Sequence, residues 1–249
     1  MEFTILGPLE ARAEGRVIPL GGLKQRAVFA QLLLNAGEVV SRDRLVEGTW
    51  SEPPESAAKA VQVHVSQLRK ALGPQAPIRT HGHGYVAELS PDQLDLSRFE
   101  RLVAKARSAR ERGDGASAAA GLREALALWH GPPLAEFAQE PFAAAETARL
   151  VEVRLGTLED RIDADLALGR HGDLVAELEA LVAAEPRRER LLGQLMLALY
   201  RCGRQAAALD AYRDARRLLG DELGLDPGPA LQRLERAILV HDPELELEA

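Results

Sequence analysis

Ser56-Ala57-Ala58-Lys59-Ala60-Val61-Gln62-Val63-His64-Val65-Ser66-Gln67-Leu68-Arg69-Lys70-Ala71-Leu72, then Gly73-Pro74 and Ile78-Arg79-Thr80-His81-Gly82-His83-Gly84-Tyr85, is the stretch on which the fold turns. Val61, Val65, Leu68 and Leu72 recur at i, i+4, i+7 and i+11, which predicts a helix over 57–72 with one buried stripe. Ser56 is placed to cap it and Gly73-Pro74 to stop it. The opposite face carries Lys59, Gln62, Val63, Ser66, Gln67 and Lys70. Across 56–87 stand Lys59, Arg69, Lys70, Arg79 and three of the six histidines, with no Asp or Glu. Such a surface suits a polyanion, because a misplaced carboxylate repels phosphate. Ile78–Thr80 and Tyr85–Leu89, joined by His81-Gly82-His83-Gly84, predict a glycine-turned hairpin. A helix followed at once by a basic hairpin predicts a winged helix-turn-helix. The helix would enter the major groove and the wing would grip the neighbouring backbone or minor groove.

Upstream, Phe3–Leu6, Leu9–Arg12 and Val17–Pro19 read as short strands between Gly7-Pro8 and Glu14-Gly15 turns. Leu23–Ala36 has helical spacing and Gly37 as its stop. Ser41 is expected to cap a helix over Arg42–Trp50, with Arg44 where a capping-box carboxylate would stand. The double proline of Ser51-Glu52-Pro53-Pro54-Glu55 forces an extended loop. After Ser90 nearly everything reads as paired helices: 97–112 with 116–129, 142–168 with 173–184, 191–201 with 205–219, then 229–239. Segments 164–186 and 195–217 resemble each other, Gly172 and Ala176 against Gly203 and Ala207, at an offset of 31 residues. The predicted fold is mainly α: an N-terminal winged helix-turn-helix (α+β) at 1–90, then an all-α tetratricopeptide-like helical-repeat domain at 96–249.

Composition limits the function. Residues 1–90 carry ten Lys and Arg against nine Asp and Glu, a net of +1, so the remainder holds −8 of the chain's −7. One cysteine, Cys202, excludes an internal disulfide framework and any multi-cysteine metal site. Met1–Leu6 has neither a basic n-region nor a long apolar run, and no stretch reaches the ~18 apolar residues of a membrane span. A soluble cytoplasmic protein without membrane contact is expected. No GxxxxGK[ST] motif and no catalytic constellation is present, so no enzyme activity, metal or cofactor is expected. His81-Gly82-His83 is too small a ligand set for a metal and reads as a turn. Glu244, Glu246 and Glu248 read as a solvated tail. These features also leave open a helical-repeat adaptor that binds only proteins, or a repressor that merely occludes promoters.

Pro19-Leu20-Gly21-Gly22-Leu23-Lys24-Gln25-Arg26, Val40-Ser41-Arg42-Asp43-Arg44-Leu45, Trp50, Val61–Leu72 and Gly82-His83-Gly84-Tyr85 resemble the winged-helix output domain of two-component response regulators. With the helical half, nearly all 249 residues resemble the Streptomyces antibiotic regulatory protein family, whose second part is called the bacterial transcriptional activator domain. The resemblance implies an activator of a secondary-metabolite gene cluster. It would bind direct repeats in double-stranded promoter DNA as a side-by-side homodimer and recruit RNA polymerase holoenzyme through its sigma factor. It places Lys59, Gln62, Val63, Ser66 and Gln67 at base-facing positions. His64, Arg69 and Lys70, with Arg79 and His81 in the wing and Arg42 and Arg44 on the supporting helix, fall at phosphate-facing ones. Ser66 and Gln67 stand where arginine is frequent, which makes guanine readout there less favourable. Trp50 is expected in the core. Glu52, Pro53, Pro54 and Glu55 fall in the loop that meets the polymerase, where two carboxylates suit a basic sigma-factor surface.

Overall fold

A computed structural model describes residues 1–247. Two compact units form, residues 1–105 with 123–155 and residues 106–122 with 156 onward. Packing therefore divides the chain differently from sequence character. Part of the helical half belongs to the first unit.

In the first unit, β1 (Glu2–Thr4), β2 (Glu10–Ala13) and β3 (Arg16–Val17) make an antiparallel meander. Helices α1 (Leu23–Leu34), α2 (Arg42–Thr49) and α3 (Ala57–Leu72) follow, then β5 (Ile78–His81) and β6 (Gly84–Ala87). The core beneath them includes Phe3, Phe29, Leu32, Leu33, Leu45, Val61, Val65, Leu68 and Ile78. The rings of Phe3 and Phe29 meet edge to face at 5.5 Å.

Two local details differ from the sequence reading. Ser41 does cap α2, accepting the Arg44 N–H at 3.1 Å, but Ser56 makes no side-chain cap for α3. Ser56 has φ −86° and ψ 7°, away from the extended geometry in which a serine hydroxyl reaches the next turn. The hairpin is also tighter than expected. His81 and Gly84 pair within the strands, leaving only Gly82 and His83 as loop, with Gly82 at φ 55°.

A two-residue strand, β4 (Val40–Ser41), completes a second sheet in the order β4-β6-β5, with Val40 opposite Tyr85 and Ser41 opposite Gly84. A Cβ on Gly84 would lie 2.4 Å from the Val40 carbonyl oxygen, so only glycine permits this approach.

Helix α4 (Asp95–Glu111) begins inside the first unit. The buried Asp95 carboxylate accepts backbone N–H bonds from Ile5 at 3.0 Å and from Leu6 at 2.9 Å, and it caps its own helix at Leu96. Burial pushes its pKa up, and these bonds oppose that. Phe99 packs edge to face on Trp129, beyond the end of α5 (Gly115–Leu126).

The second unit holds the end of α4, most of α5, the later part of α6 (Ala143–Ala167), and α7 (His171–Ala184), α8 (Glu189–Arg201), α9 (Gln205–Leu223) and α10 (Pro229–Leu239). One continuous apolar cluster from Ile162 to Ile238 packs α6 to α10 together. Equivalent glycines end the first helix of successive pairs: Gly113, Gly169 and Gly203, at φ 79°, 75° and 73°. At Gly169 and Gly203 the closing bonds are alike, Gly169 to Leu166 and Arg170 to Asp165, against Gly203 to Tyr200 and Arg204 to Leu199. The structural register of the repeat is thus Gly169 to Gly203, 34 residues, replacing the 31 read from Gly172, which lies inside α7. The terminal turn differs from a free tail as well. Glu244 and Glu246 are exposed, but Leu245 packs on the cluster and its carbonyl accepts from Arg201 Nε at 2.7 Å. Glu248 lies outside the described residues.

Candidate nucleic-acid interface

Helix α3 buries Ala57, Val61, Val65, Leu68 and Leu72, and its other side is open to solvent. Lys59, Gln62, Val63, Ser66, Gln67 and Lys70 are all exposed, Val63 at 45%. Neither Lys59 nor Lys70 has an ion pair among the described residues. Arg69 and Lys70 occupy the last turn, where cations complement the helix dipole.

The remaining candidate residues are more constrained. Arg69 donates from Nε to the Ile78 carbonyl at 3.1 Å and from Nη2 to Thr80 Oγ1 at 2.9 Å. Its guanidinium also lies 5.9 Å from the Tyr85 ring centre. The fork of one arginine thus fastens the wing to α3. Arg79 donates to the Ala76 carbonyl at 2.7 Å and lies 3.7 Å from Glu88, while His81 is exposed on β5. Arg42 donates through Nε to the His83 carbonyl at 3.1 Å, with Nη2 3.2 Å from His83 Nδ1, and Arg44 is exposed beside it. The wing is therefore held by α2 at its tip and by α3 along β5.

His64 is half-buried, its ring stacked on Trp50 at 6.2 Å and 19°. Burial holds its pKa below the usual histidine range, partly opposed by the Gln67 side chain. Lys24 Nζ sits 5.8 Å over the other partner of that stack, the Trp50 ring. The same ammonium donates to the Thr49 carbonyl and to Glu140 Oε2, each at 2.7 Å. Glu52, Pro53, Pro54 and Glu55 are all exposed in the loop between α2 and α3.

Sequence reasoning gave no role to Lys24, Thr49 or Glu140. Lys24 stands in the Pro19–Arg26 stretch, and no periodicity links it to a carboxylate 116 residues away.

Residues 16–87 match the model for "Transcriptional regulatory protein, C terminal", and 94–239 match "Bacterial transcriptional activator domain". The regulatory protein DnrI of Streptomyces peucetius is 39% identical across 99% of this chain and 94% of its own length. The chain belongs to the Streptomyces antibiotic regulatory protein family of transcriptional activators. Within that family, AfsR of Streptomyces coelicolor is 46% identical over 98% of the chain, which spans only a quarter of AfsR's length. Among solved structures, Mycobacterium tuberculosis EmbR in complex with a low affinity phosphopeptide superposes with a TM-score of 0.94 at 36% identity. That match covers 97% of this chain and 65% of EmbR.

Proposed function

We propose that this chain binds double-stranded promoter DNA sequence-specifically and activates a secondary-metabolite, antibiotic-type gene cluster. Residues 1–90 act as the DNA-binding part and 96–249 as the activator part. The observation that carries the reading is the exposed face of α3, free of carboxylates and flanked by a wing already fixed in place.

On this reading Lys59, Gln62, Val63, Ser66 and Gln67 meet base edges. Gln pairs well with adenine, and a Val methyl can meet thymine. Lys70, Arg44, Arg79 and His81 meet phosphate, while Arg42, Arg69 and His64 support those contacts through the bonds and stacking described above. Two copies occupy a direct repeat side by side, and Glu52-Pro53-Pro54-Glu55 meets a basic surface of the sigma factor. The protein works in the cytoplasm and catalyses nothing itself.

Footprinting over the neighbouring promoters tests the core of this reading. The expected result is two protected patches about one or two helical turns apart. Protection no stronger than on random duplex at ordinary salt overturns it and leaves a protein-binding adaptor. Replacing 52–55 with alanines should retain DNA affinity and abolish activation in a purified transcription assay. Unchanged activation removes the polymerase assignment.

A further inference from the structure

The junction between α2 and the recognition helix is gripped from far along the chain. Glu140, only 4% exposed, places Oε2 2.7 Å from Lys24 Nζ. That ammonium in turn bonds the Thr49 carbonyl, at the end of α2, and lies over Trp50, which stacks on His64 of α3. Two residues on, the Phe142 N–H donates to the Gly48 carbonyl at 3.2 Å. Gly48 is itself pinched. A Cβ there would lie 3.2 Å from the Phe142 Cβ and 2.1 Å from Gln31 Oε1. Gln31 also donates to Thr49 Oγ1 at 2.9 Å. Residues 48–50 are thus held from below by α1 and from the side by 140–142.

We propose that Glu140 is a positioning residue for DNA reading: through Lys24 and the Trp50–His64 stack it sets the rotation of α3 about its own axis. Glu140 lies within residues 94–239, which match the activator-domain model, whereas Lys24, Trp50 and His64 lie within 16–87. The activator segment is therefore part of what orients the reading helix. The physical reason is geometric. Ser56 gives α3 no side-chain cap, so its orientation is fixed instead half-way along, where His64 stacks on Trp50 beneath the Lys24 cation of α1. A small rotation of α3 would move Gln62, Ser66 and Gln67 together relative to base edges, while mobile Lys side chains would still find phosphates.

This inference rests on the reading that α3 enters the groove, and the experiment separates the two. Binding is compared for a promoter repeat chosen by footprinting and for random duplex, using the full chain, Glu140→Gln, and the doubly substituted Lys24→Met/Glu140→Gln protein. The double variant leaves net charge unchanged and strands no buried carboxylate, so it remains informative if the single variant unfolds. Indole N–H resonances, assigned with Trp50→Phe, report the Trp50 environment.

Both variants are expected to lose about fivefold or more of promoter preference over random duplex, the lower range of typical site-to-site coupling, and the Trp50 resonance is expected to move. Glu140→Gln removes a negative charge, so a purely electrostatic effect would instead tighten binding to both duplexes. Lys24→Arg, which keeps a cation over Trp50, should retain most of the preference. A wild-type chain without preference overturns the groove reading and this inference with it. Wild-type preference that survives in both variants, or is lost while the Trp50 signal stays fixed, overturns the inference alone.

Discussion

A recognition surface depends on side chains that hold its parts together, and Arg69 carries such commitments. The family resemblance puts it at a phosphate-facing position, and its Nε and Nη2 are committed to Ile78 and Thr80 of the wing. Arg69→Lys keeps the charge and loses the fork, so it should still weaken DNA binding about tenfold, by letting the wing swing. Gel-shift titration checks this, and binding as tight as wild type would return Arg69 to the phosphate set. His64 makes a prediction of the opposite kind, on folding. Because burial lowers its pKa in the folded chain, protonation is disfavoured there relative to the unfolded chain. The stability that neutral His64 contributes is complete above its ordinary pKa of about 6.5 and is lost as pH falls through the depressed value. Urea midpoints at about pH 7.5 and 5.5 should therefore drop more for wild type than for His64→Gln. An equal drop would mean that the ring is as free to charge folded as unfolded.

At the scale of elements, periodicity settled the helices and left the sheet edge unread. Helix α3 and helix α10 begin and end where their spacing and their Gly or Pro punctuation predict. Strand β4 gave no such signal. Val40 and Ser41 are too few to alternate, and their strand character comes wholly from pairing with β6. The repeat was legible as a repeat, but its register was not, because Gly172 imitates a turn glycine while Gly169 carries the left-handed backbone. Side-chain roles that depend on non-local partners stayed hidden for the same reason. The exposed face of α3 could be read from spacing alone, whereas the commitments of Arg69, Lys24 and Glu140 appear only once the chain is folded. Gly84→Ala tests the sheet edge directly. Its new methyl must displace the Val40 backbone, so a loss of about 1–3 kcal/mol in denaturant unfolding is expected. A neutral outcome would show that β4 can retreat at no cost.

For the molecule as a whole, the packing units matter more than the change in composition at residue 90. Ile5 and Leu6 give their N–H groups to Asp95, Leu9 gives its own to Glu136, and Arg26 pairs with Glu136 at 2.7 Å. A fragment ending at residue 90 removes every one of these acceptors. A small domain has only about 5–15 kcal/mol of stability in total, and each buried donor left unpaired costs about 1–3 kcal/mol. Fragment 1–90 should therefore melt without cooperativity or many degrees below fragment 1–155, which contains the complete first unit. Circular dichroism melts of the two fragments decide it, and equal midpoints would make the helical supports dispensable.

The fastening of the wing by Arg42 and Arg69 also bears on kinetics. A hairpin whose tip and base are tied down before any duplex arrives has little conformational freedom left to surrender on docking. Association should then follow one exponential whose rate rises linearly with DNA concentration, with no slow ordering step behind it.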